Sequence, residues 1–369
     1  MSLRERLKAE DGAPKGPELY GRFGVLRNPF PASSQTSSNP HMPSSADDEA
    51  EARIISFLRD GRSQVVVVEG TQGVGKTNFL NHFETEIQDA LRDFSGYYVV
   101  RYLADPEASF EGTIRRLFQE LGTEHILRLS KKLSEDIAPV ETSRNHDVRA
   151  ALLSLGKFPD DQEVADLFMN WLLGSRLLKI HRERLNVQFR LDTVESKTAA
   201  LRDLVLVSSE ADLLKGIFLL LDELEKQDGV LGPTAVVRYL SAMRAIIDAL
   251  PNHLFMMIAV TPDAMRRYSA ALPAFRSRLQ NQITLLPLSD IEQAMELAHF
   301  YLRSAKEEAQ RVNQGRRPGA SPLVNDAQIT ETFDDLRRGA ERRGDSGVRQ
   351  RDFLHQLYEV AEDAIQRAL

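Results

Sequence analysis

The stretch that most constrains this chain is Gln64–Leu80, with the sequence QVVVVEGTQGVGKTNFL. Four consecutive valines predict a strand that is buried on both faces of a sheet. Gly70–Thr77 then match G-x-x-x-x-G-K-[ST] in full, and apolar residues at helical spacing follow. A strand, a glycine-rich loop and a helix in this order predict a phosphate-binding loop.

Each part of the loop has a physical role in holding phosphate. Glycines let the backbone bring its N–H groups against phosphate oxygens, and the positive end of the new helix points to the same place. Lys76 adds a charge for the outer phosphates, and the Thr77 hydroxyl can hold a magnesium ion. We therefore predict that ATP contacts Gly70, Thr71, Gln72, Gly73, Val74, Gly75, Lys76, Thr77 and Asn78. No guanine-reading N-K-x-D follows, which favours ATP over GTP.

A second predicted strand, Ile217–Leu221, ends in two acids, Asp222 and Glu223. Two adjacent carboxylates after five apolar residues are costly to place unless a cation or water accompanies them. With a phosphate loop upstream, Asp222 is expected to complete the magnesium shell, mostly through water. Glu223 is expected to polarise the attacking water. The alternative is that both acids lie at an exposed strand end.

Composition narrows the class of protein. The 369 residues are 42% hydrophobic and 27% charged, as in globular proteins, and the formal net charge of −7 argues against a generally basic, DNA-coating protein. The sequence has no cysteine, which excludes disulfides and thiolate chemistry, and its eight histidines lack metal-ligand spacing. The charged N-terminus is not a secretory signal and no apolar run could span a bilayer. We expect a cytoplasmic protein that does not engage membranes.

Further strands and helices follow from the apolar pattern. Tyr97–Leu103 and Leu254–Val260 predict buried strands, and a last strand is expected at about Ile283–Leu286. Residues 109–215 show only helical patterns, with one helix expected from about Glu195 to Lys215, ended by Gly216. So long a helical stretch predicts an insertion or a subdomain.

The tail from Leu288 is expected to be helical. Ser289 with Glu292 predicts a capping box that starts its first helix, and the last helix is expected to start near Gly347. Three regions are therefore predicted: an N-terminal extension and flexible linker (1–45), an ATPase domain (46–287) whose residues 105–215 form a mostly helical insertion, and a helical lid (288–369).

Two features upstream and downstream of the loop have two interpretations each. Tyr20–Phe30 concentrates aromatic and apolar residues, so that Asn28 and Phe30 either contact a bound adenine or strap the core. Thr261 ends the Leu254–Val260 strand, where a polar group either senses the γ-phosphate or caps the helix that Pro262 opens.

Two arginine pairs are equally open to interpretation. Arg276 and Arg278 precede the last strand, either as a surface charge cluster or as a contact with a neighbouring subunit's nucleotide. Arg349 and Arg351 stand at the start of the last helix, where the helix dipole disfavours a cation unless an anion is near. They are either nucleotide contacts or ordinary solvated side chains.

The order of these motifs resembles the AAA+ ATPases. Within them it is similar to the bacterial branch related to origin-recognition and helicase-loader ATPases, to transposition regulators of the TnsC and TniB type, and to ATPases of phage-defence islands. The resemblance rests on the Phe23–Phe30 box, the Gly70–Thr77 loop, Asp222–Glu225, Thr261–Pro262, Pro273–Leu279 and Arg351–Leu354.

This resemblance implies an α/β fold of the P-loop (ASCE/AAA+) type, with a parallel sheet in the order 5-1-4-3-2 and a small helical lid. It implies that Thr261 is the first sensor, that Arg278 is the finger given to an adjacent subunit, and that Arg351 is the second sensor. Arg276 and Arg349 are the reserve choices. The sequence departs from the initiator pattern because Gln350 replaces a common proline, and because the chain ends after the lid helix, without a winged helix.

The expected function is that of an ATP-hydrolysing switch which assembles head to tail, with ATP at subunit interfaces, into a homo-oligomeric ring or filament. Its expected target is DNA or a DNA-associated partner in transposition, replication or phage defence. The alternative is a signalling ATPase that recruits a protein effector through residues 105–215.

Overall fold

A computed structural model describes residues 20–32, 39–103, 110–225, 232–279, 281–312 and 322–367. The chain divides into two compact units. We call them the sheet unit (Ser44–Gly70 and Phe79–Thr284) and the lid unit (Met1–Pro43, Thr71–Asn78 and Leu285–Leu369). Across the described ranges, no helix has both the length and the apolar character that crossing a membrane requires.

Among the residues that the structure describes, the sheet has five strands, which are β1 (Gln64–Glu69), β2 (Tyr97–Leu103), β3 (Gly216–Asp222), β4 (Leu254–Val260) and β5 (Asn281–Thr284). All neighbouring strands are parallel and their order is β2-β3-β4-β1-β5. Read from the opposite edge, this is 5-1-4-3-2, so the predicted order is confirmed. Every residue of β3 and β4 is buried, as their unbroken apolar runs predict for central parallel strands.

The helices, in chain order, are α1 (Ser45–Asp60), α2 (Lys76–Ala90), α3 (Glu111–Glu135), α4 (His146–Leu155), α5 (Gln162–Leu172), α6 (Lys179–Leu185), α7 (Val194–Glu210), α8 (Pro233–Ala249), α9 (Pro262–Ala271), α10 (Pro273–Arg276), α11 (Ile291–Val312), α12 (Asp326–Arg343) and α13 (Gln350–Arg367). A short 3₁₀ helix, Ala138–Thr142, follows α3. Helices α11 to α13 belong to the lid unit.

Between β2 and β3 the described chain forms helices joined by loops, and no strand. Helices α3 to α7 share one apolar core with the sheet, in which the single tryptophan, Trp171, is 1% exposed. Asp161 caps α5 through its side chain, which accepts a hydrogen bond from the Val164 N–H. The tryptophan is therefore a core residue and reports on the packing of this unit.

A fully buried histidine lies inside the same core. His125 of α3 is within 2.7 Å of the Tyr98 hydroxyl and 2.9 Å of the Ser208 hydroxyl. Burial, together with the nearby Arg128 guanidinium, lowers the pKa of His125 to about 4. The imidazole is therefore neutral at physiological pH, and it links β2, α3 and α7 through polar contacts.

Helix α7 ends earlier than the sequence predicts. It stops at Glu210 instead of Lys215, and Gly216 is the first residue of β3 rather than a helix stop. A Cβ atom on Gly216 would lie 2.8 Å from the Phe57 ring. This glycine is required because α1 packs closely against the strand, which a sequence pattern does not reveal.

The last strand is also displaced from its predicted position. Strand β5 is Asn281–Thr284 rather than Ile283–Leu286. Within the described part of the chain it pairs only with β1, from Val66 opposite Asn281 to Glu69 opposite Thr284. Because β1 ends at Glu69, the ladder ends there and Leu286 is 71% exposed.

The lid unit has a separate apolar core, to which residues 20–32 contribute Val25 and Phe30. Two predicted starts in this unit were wrong. Asp290, not Ser289, caps α11 by accepting a hydrogen bond from the Gln293 N–H at 2.9 Å. Helix α13 starts at Gln350 rather than near Gly347, because residue 348 pairs with Leu288 in an isolated β-bridge.

Candidate functional site

The phosphate loop of the lid unit has the backbone that an anion-binding loop needs. Gly73 and Gly75 have φ angles of +85° and +99°, which L side chains rarely adopt. Helix α2 begins at Lys76, whose side chain is buried and donates a hydrogen bond to the Thr71 carbonyl at 3.2 Å. The loop therefore combines glycine turns, a helix N-terminus and a lysine, as the sequence predicts.

The start of α13 packs directly against this loop. The Arg351 N–H donates to the Gly73 carbonyl at 2.9 Å. A Cβ on Gly73 would lie 3.4 Å from the Cβ atoms of Arg349 and Arg351, and one on Gly75 would lie 3.0 Å from the Gln350 amide oxygen. The structure thus brings the second predicted arginine pair to the phosphate loop.

These two arginines differ in their contacts. Arg349 lies 3.7 Å from Asp345, whereas the exposed Arg351 side chain has no partner among the residues that the structure describes. Both cations stand at a helix N-terminus, which is unfavourable without a nearby anion. A bound phosphate would supply that anion.

The segment before α1 reaches the loop through Asn78. The Asn78 amide donates to the carbonyls of Asn39 and Pro40 at 3.2 and 3.4 Å, and its oxygen is 2.7 Å from the His41 ring. Residues 39–41 are therefore held by Asn78, a residue of the predicted phosphate site. The remaining linker residues, 33–38, lie outside the described chain.

The aromatic segment Tyr20–Phe30 packs on the core of the lid unit, which agrees with the second of its two interpretations. Phe30 is 2% exposed and stacks on Tyr301, with ring centroids 6.2 Å apart. The Asn28 amide donates to the Tyr358 carbonyl at 3.1 Å and to Glu362 at 2.8 Å, and its oxygen accepts from the Phe30 N–H at 3.1 Å. Both side chains serve the lid core, beside a cavity of about 320 Å³ that their segment lines.

In the sheet unit, the two predicted acids follow β3. The Asp222 side chain is 2% exposed, and its Oδ1 accepts from the Glu223 N–H at 2.9 Å. Glu223 has a φ of +54°, which costs a residue with a side chain of order 1–3 kcal/mol. The backbone therefore turns sharply at Glu223, and such strained positions cluster at functional sites.

Arg101 is a residue of this site that the sequence analysis did not single out. It extends from β2, and its Nη2 donates to Asp222 Oδ2 at 2.7 Å and to Asn81 at 3.3 Å. Glu84 is 3.8 Å from the same guanidinium, and burial raises the pKa of Glu84 in spite of that cation. The only signal in the sequence is an arginine inside an apolar strand, since a buried cation requires a partner.

The ends of β1, β3 and β4 are neighbours in the sheet. Glu69 pairs with Val260, Leu221 pairs with Ile258, and the Gly70 N–H donates to the Val260 carbonyl at 3.2 Å. The start of the loop and the β3 acids therefore follow strands that end at the same edge, on either side of β4. This is the edge at which parallel α/β sheets bind ligands.

Thr261, at the end of β4, acts as a helix cap. Its hydroxyl accepts a hydrogen bond from the Ala264 N–H at 3.4 Å, and Pro262 opens α9. Farther along this helix, the Tyr268 hydroxyl donates to the Leu224 carbonyl at 2.8 Å. Helix α9 is thereby tied to the segment that follows the two acids.

The first arginine pair is split between two environments. Arg278 donates to Asp248 at 2.6 Å, and this hydrogen bond with Arg278 is the main cause of the lowered pKa of Asp248. Arg276 lines a cavity of about 640 Å³ with Glu69 and Gln282. Within the described part of the chain, the Arg276 side chain has no hydrogen bond or ion pair.

Fold and site together define a class. A parallel sheet in this order, a phosphate loop after β1, acids after β3 and a helical lid are those of an AAA+ P-loop ATPase. The family model for the BREX system ATP-binding protein BrxC/D matches residues 122–366, which is more than half of the chain. The chain therefore belongs to this family of phage-defence ATP-binding proteins. The matched range begins after the phosphate loop.

The solved structures that the chain matches include two of the Aeropyrum pernix ORC2 protein. The ADPNP–ADP complexes are 12% identical with a TM-score of 0.44, over 90% of this chain and 72% of that chain. The ADP form is 12% identical with a TM-score of 0.41, over 91% and 73%. The Walker-type ATPase paby2304 of Pyrococcus abyssi is 14% identical with a TM-score of 0.38, over 94% and 78%. No curated protein matches the chain significantly.

Proposed function

We propose that this protein is an ATP-hydrolysing switch whose phosphate loop binds ATP and whose Glu223 activates the attacking water. The observation that carries the proposal is the left-handed backbone at Gly73 and Gly75, in a loop that ends at a helix N-terminus and packs against two arginines. Such a loop suits an anion, and a polyphosphate in particular.

Magnesium fits the available donors. The Thr77 hydroxyl and the Asp222 carboxylate are hard oxygen ligands, and Arg101 already bonds one Asp222 oxygen, which favours contact through water. When bound, the ion neutralises charge on the transferred phosphate. Lys76 and Arg351 would bind phosphate oxygens, and Thr261 would hold the leaving phosphate or water while it caps α9.

Glu223 can be tested with a matched pair of substitutions. Glu223→Gln removes the base and keeps its shape, so we expect ATP binding to persist and phosphate release to fall by about 100-fold or more. Glu225→Gln makes the same change two residues away and is expected to keep hydrolysis. Normal turnover in Glu223→Gln would remove the role proposed for this residue.

We further propose that the active form is a head-to-tail homo-oligomer in which one arginine reaches the neighbouring nucleotide. An arginine supplied in this way is worth about 10³–10⁵ in rate. Arg278, implied by the resemblance, would first have to leave Asp248, whereas Arg276 has no side-chain hydrogen bond or ion pair to break among the described residues. ATPase assays of Arg276→Ala and Arg278→Ala over a range of protein concentrations show which of the two arginines acts on the neighbouring nucleotide.

The rate per protomer should rise with concentration in the wild type and stay flat in the variant that lacks the acting arginine. A wild-type rate per protomer that is independent of concentration, and unchanged in both variants, contradicts assembly. DNA or a DNA-associated partner is the proposed target of the switch. Recruitment of a protein effector through the insertion between β2 and β3 is the second candidate, supported by the exposed Ile137, Leu153 and Phe158 side chains there.

A further inference from the structure

Residues 176–190, which we call the 176–190 surface, expose unusually large apolar side chains. Leu178, Ile180 and Phe189 are 65%, 67% and 72% exposed, whereas Leu185 of the same segment is fully buried. Isolated exposed apolar residues need no explanation, but three within twelve positions mark an interaction site.

The same segment is strongly basic in a chain with a net charge of −7. Its only acid is Glu183, and its cations are Arg176, Lys179, Arg182, Arg184 and Arg190. Arg184 is engaged by Asp161 and Glu163, and Lys179 lies 3.7 Å from Glu183, while the four side chains other than Arg184 are exposed. The segment is therefore a local positive patch that the overall charge conceals.

The exposed phenyl ring stands on a fixed backbone. The Phe189 N–H donates to the Asp147 carboxylate at 2.8 Å, and the Phe189 carbonyl accepts from the Trp171 indole at 2.9 Å. Both partners are buried. Next to it, Arg190 Nε donates to the Gly174 carbonyl at 2.6 Å. The ring is thus presented by a rigid loop and does not need to be ordered when it binds.

The arrangement of charged and apolar side chains indicates the class of partner. Protein interfaces gather apolar residues at a centre with charges at the rim, but here cations and apolar side chains alternate, as in Leu178-Lys179-Ile180 and Phe189-Arg190. The binding of a helix to a membrane surface scales with the apolar area that the helix buries, and α6 has only seven residues. Phosphates and bases alternate in the same way along a single strand of nucleic acid.

We propose that the 176–190 surface binds single-stranded nucleic acid, with bases stacked on Phe189 and phosphates paired with the exposed arginines and Lys179. This rests on the proposed function, because it names the partner of the ATP-driven switch. Stacking on aromatic side chains and pairing of cations with the backbone are the two contributions that bind single strands without sequence preference.

The test is a fluorescence anisotropy titration of the full chain, without nucleotide, against labelled oligothymidine of about 30 nucleotides. For four phosphate contacts, the logarithm of affinity should fall with the logarithm of salt concentration with a slope of about −3. Phe189→Ala should weaken binding about ten-fold or more. Replacing Arg176 and Arg182 by alanine should reduce the slope by about 1.4.

Matched controls come from the same chain. Phe94→Ala truncates another phenyl ring, which is 60% exposed, and Arg303→Ala removes another exposed arginine. Both should bind oligothymidine as the wild type does. Unchanged Trp171 emission in Phe189→Ala would show that the loop is intact, since the indole bonds the Phe189 carbonyl.

The proposal is overturned by an absence of binding at low salt, by wild-type affinity in Phe189→Ala and the double arginine variant, or by tighter binding of a duplex of the same length. Binding to vesicles of equal phosphatidylcholine and phosphatidylglycerol, lost in Phe189→Ala, without oligothymidine binding, overturns it in favour of a membrane. Basal ATPase activity is measured separately. An absence of ATPase activity in the wild type would refute the proposed function and would leave the result on nucleic-acid binding unaffected.

Discussion

Removing Arg101 should destabilise the sheet unit far more than an ordinary substitution on a strand. Its guanidinium is 17% exposed and donates at 2.7 Å to Asp222, whose side chain is 2% exposed. Arg101→Met would leave this carboxylate buried without its cation, which costs about 3–5 kcal/mol. The variant should therefore lose a large part of the free energy of unfolding, which for a domain is about 5–15 kcal/mol.

Removing the charge of Asp222 instead of Arg101 should destabilise the sheet unit less. Asp222→Asn leaves the arginine with Asn81 at 3.3 Å and Glu84 at 3.8 Å, so we expect a loss of about 1–3 kcal/mol. In the double variant neither charge is buried without its partner. Its loss of unfolding free energy should therefore be smaller than the sum of the two single losses, by about 1.5–3 kcal/mol. Asp222→Asn therefore perturbs stability as well as magnesium binding.

The assay is equilibrium urea unfolding followed by tryptophan fluorescence. Trp171 is the only tryptophan and lies in the core of the sheet unit, so its emission reports on the relevant unit. Glu223→Gln is the control, because it keeps the backbone and should change stability by less than about 0.5 kcal/mol. Losses that simply add, or an Arg101→Met loss below about 1 kcal/mol, would refute the inferred ion pair.

Two further predictions concern the loop and the buried histidine. Gly75→Ala should weaken nucleotide binding and cost about 1–3 kcal/mol of stability, because a residue with a side chain rarely adopts its φ of +99°; unchanged affinity in calorimetry contradicts this. The pKa of His125 is lowered from 6.5 to about 4 by folding, so the unfolded chain binds the extra proton between these values. The contribution of the neutral His125 to the free energy of unfolding is complete above about pH 6.5, and it falls by about 2 kcal/mol as the pH is lowered to 5. Urea midpoints of the wild type and His125→Gln should diverge over this range, and parallel profiles would exclude the linkage.

Local patterns in the sequence were sufficient for the parts of the site that are contiguous. The phosphate loop and the β3 strand with its acids each need only one short segment, and the resemblance supplied the strand order. The role of Arg101 could not be predicted in this way, because it depends on β2 pairing with β3, with Leu103 opposite Asp222 and more than a hundred residues between them.

Where the sequence analysis failed, a tertiary contact had overridden a local signal. Gly216 looks like a helix stop, but it is needed where Phe57 meets β3. The apolar character of Leu286 suggests a strand, but β1 has no residue left to pair with it. For Asn28 and Phe30 the sequence left two interpretations open, and in the structure their contacts are with α11 and α13 in the lid core.

The central claim is that ATP is bound by the glycine loop and its lysine. Its most direct test is a calorimetric titration of ATP with magnesium into the wild type and Lys76→Ala, with unfolding curves to show that both proteins are folded. The account predicts saturable binding to the wild type and a loss of at least about 100-fold in Lys76→Ala, since the outer phosphates lose their cation. Equal affinity in the two proteins, or no binding to the wild type, would contradict it.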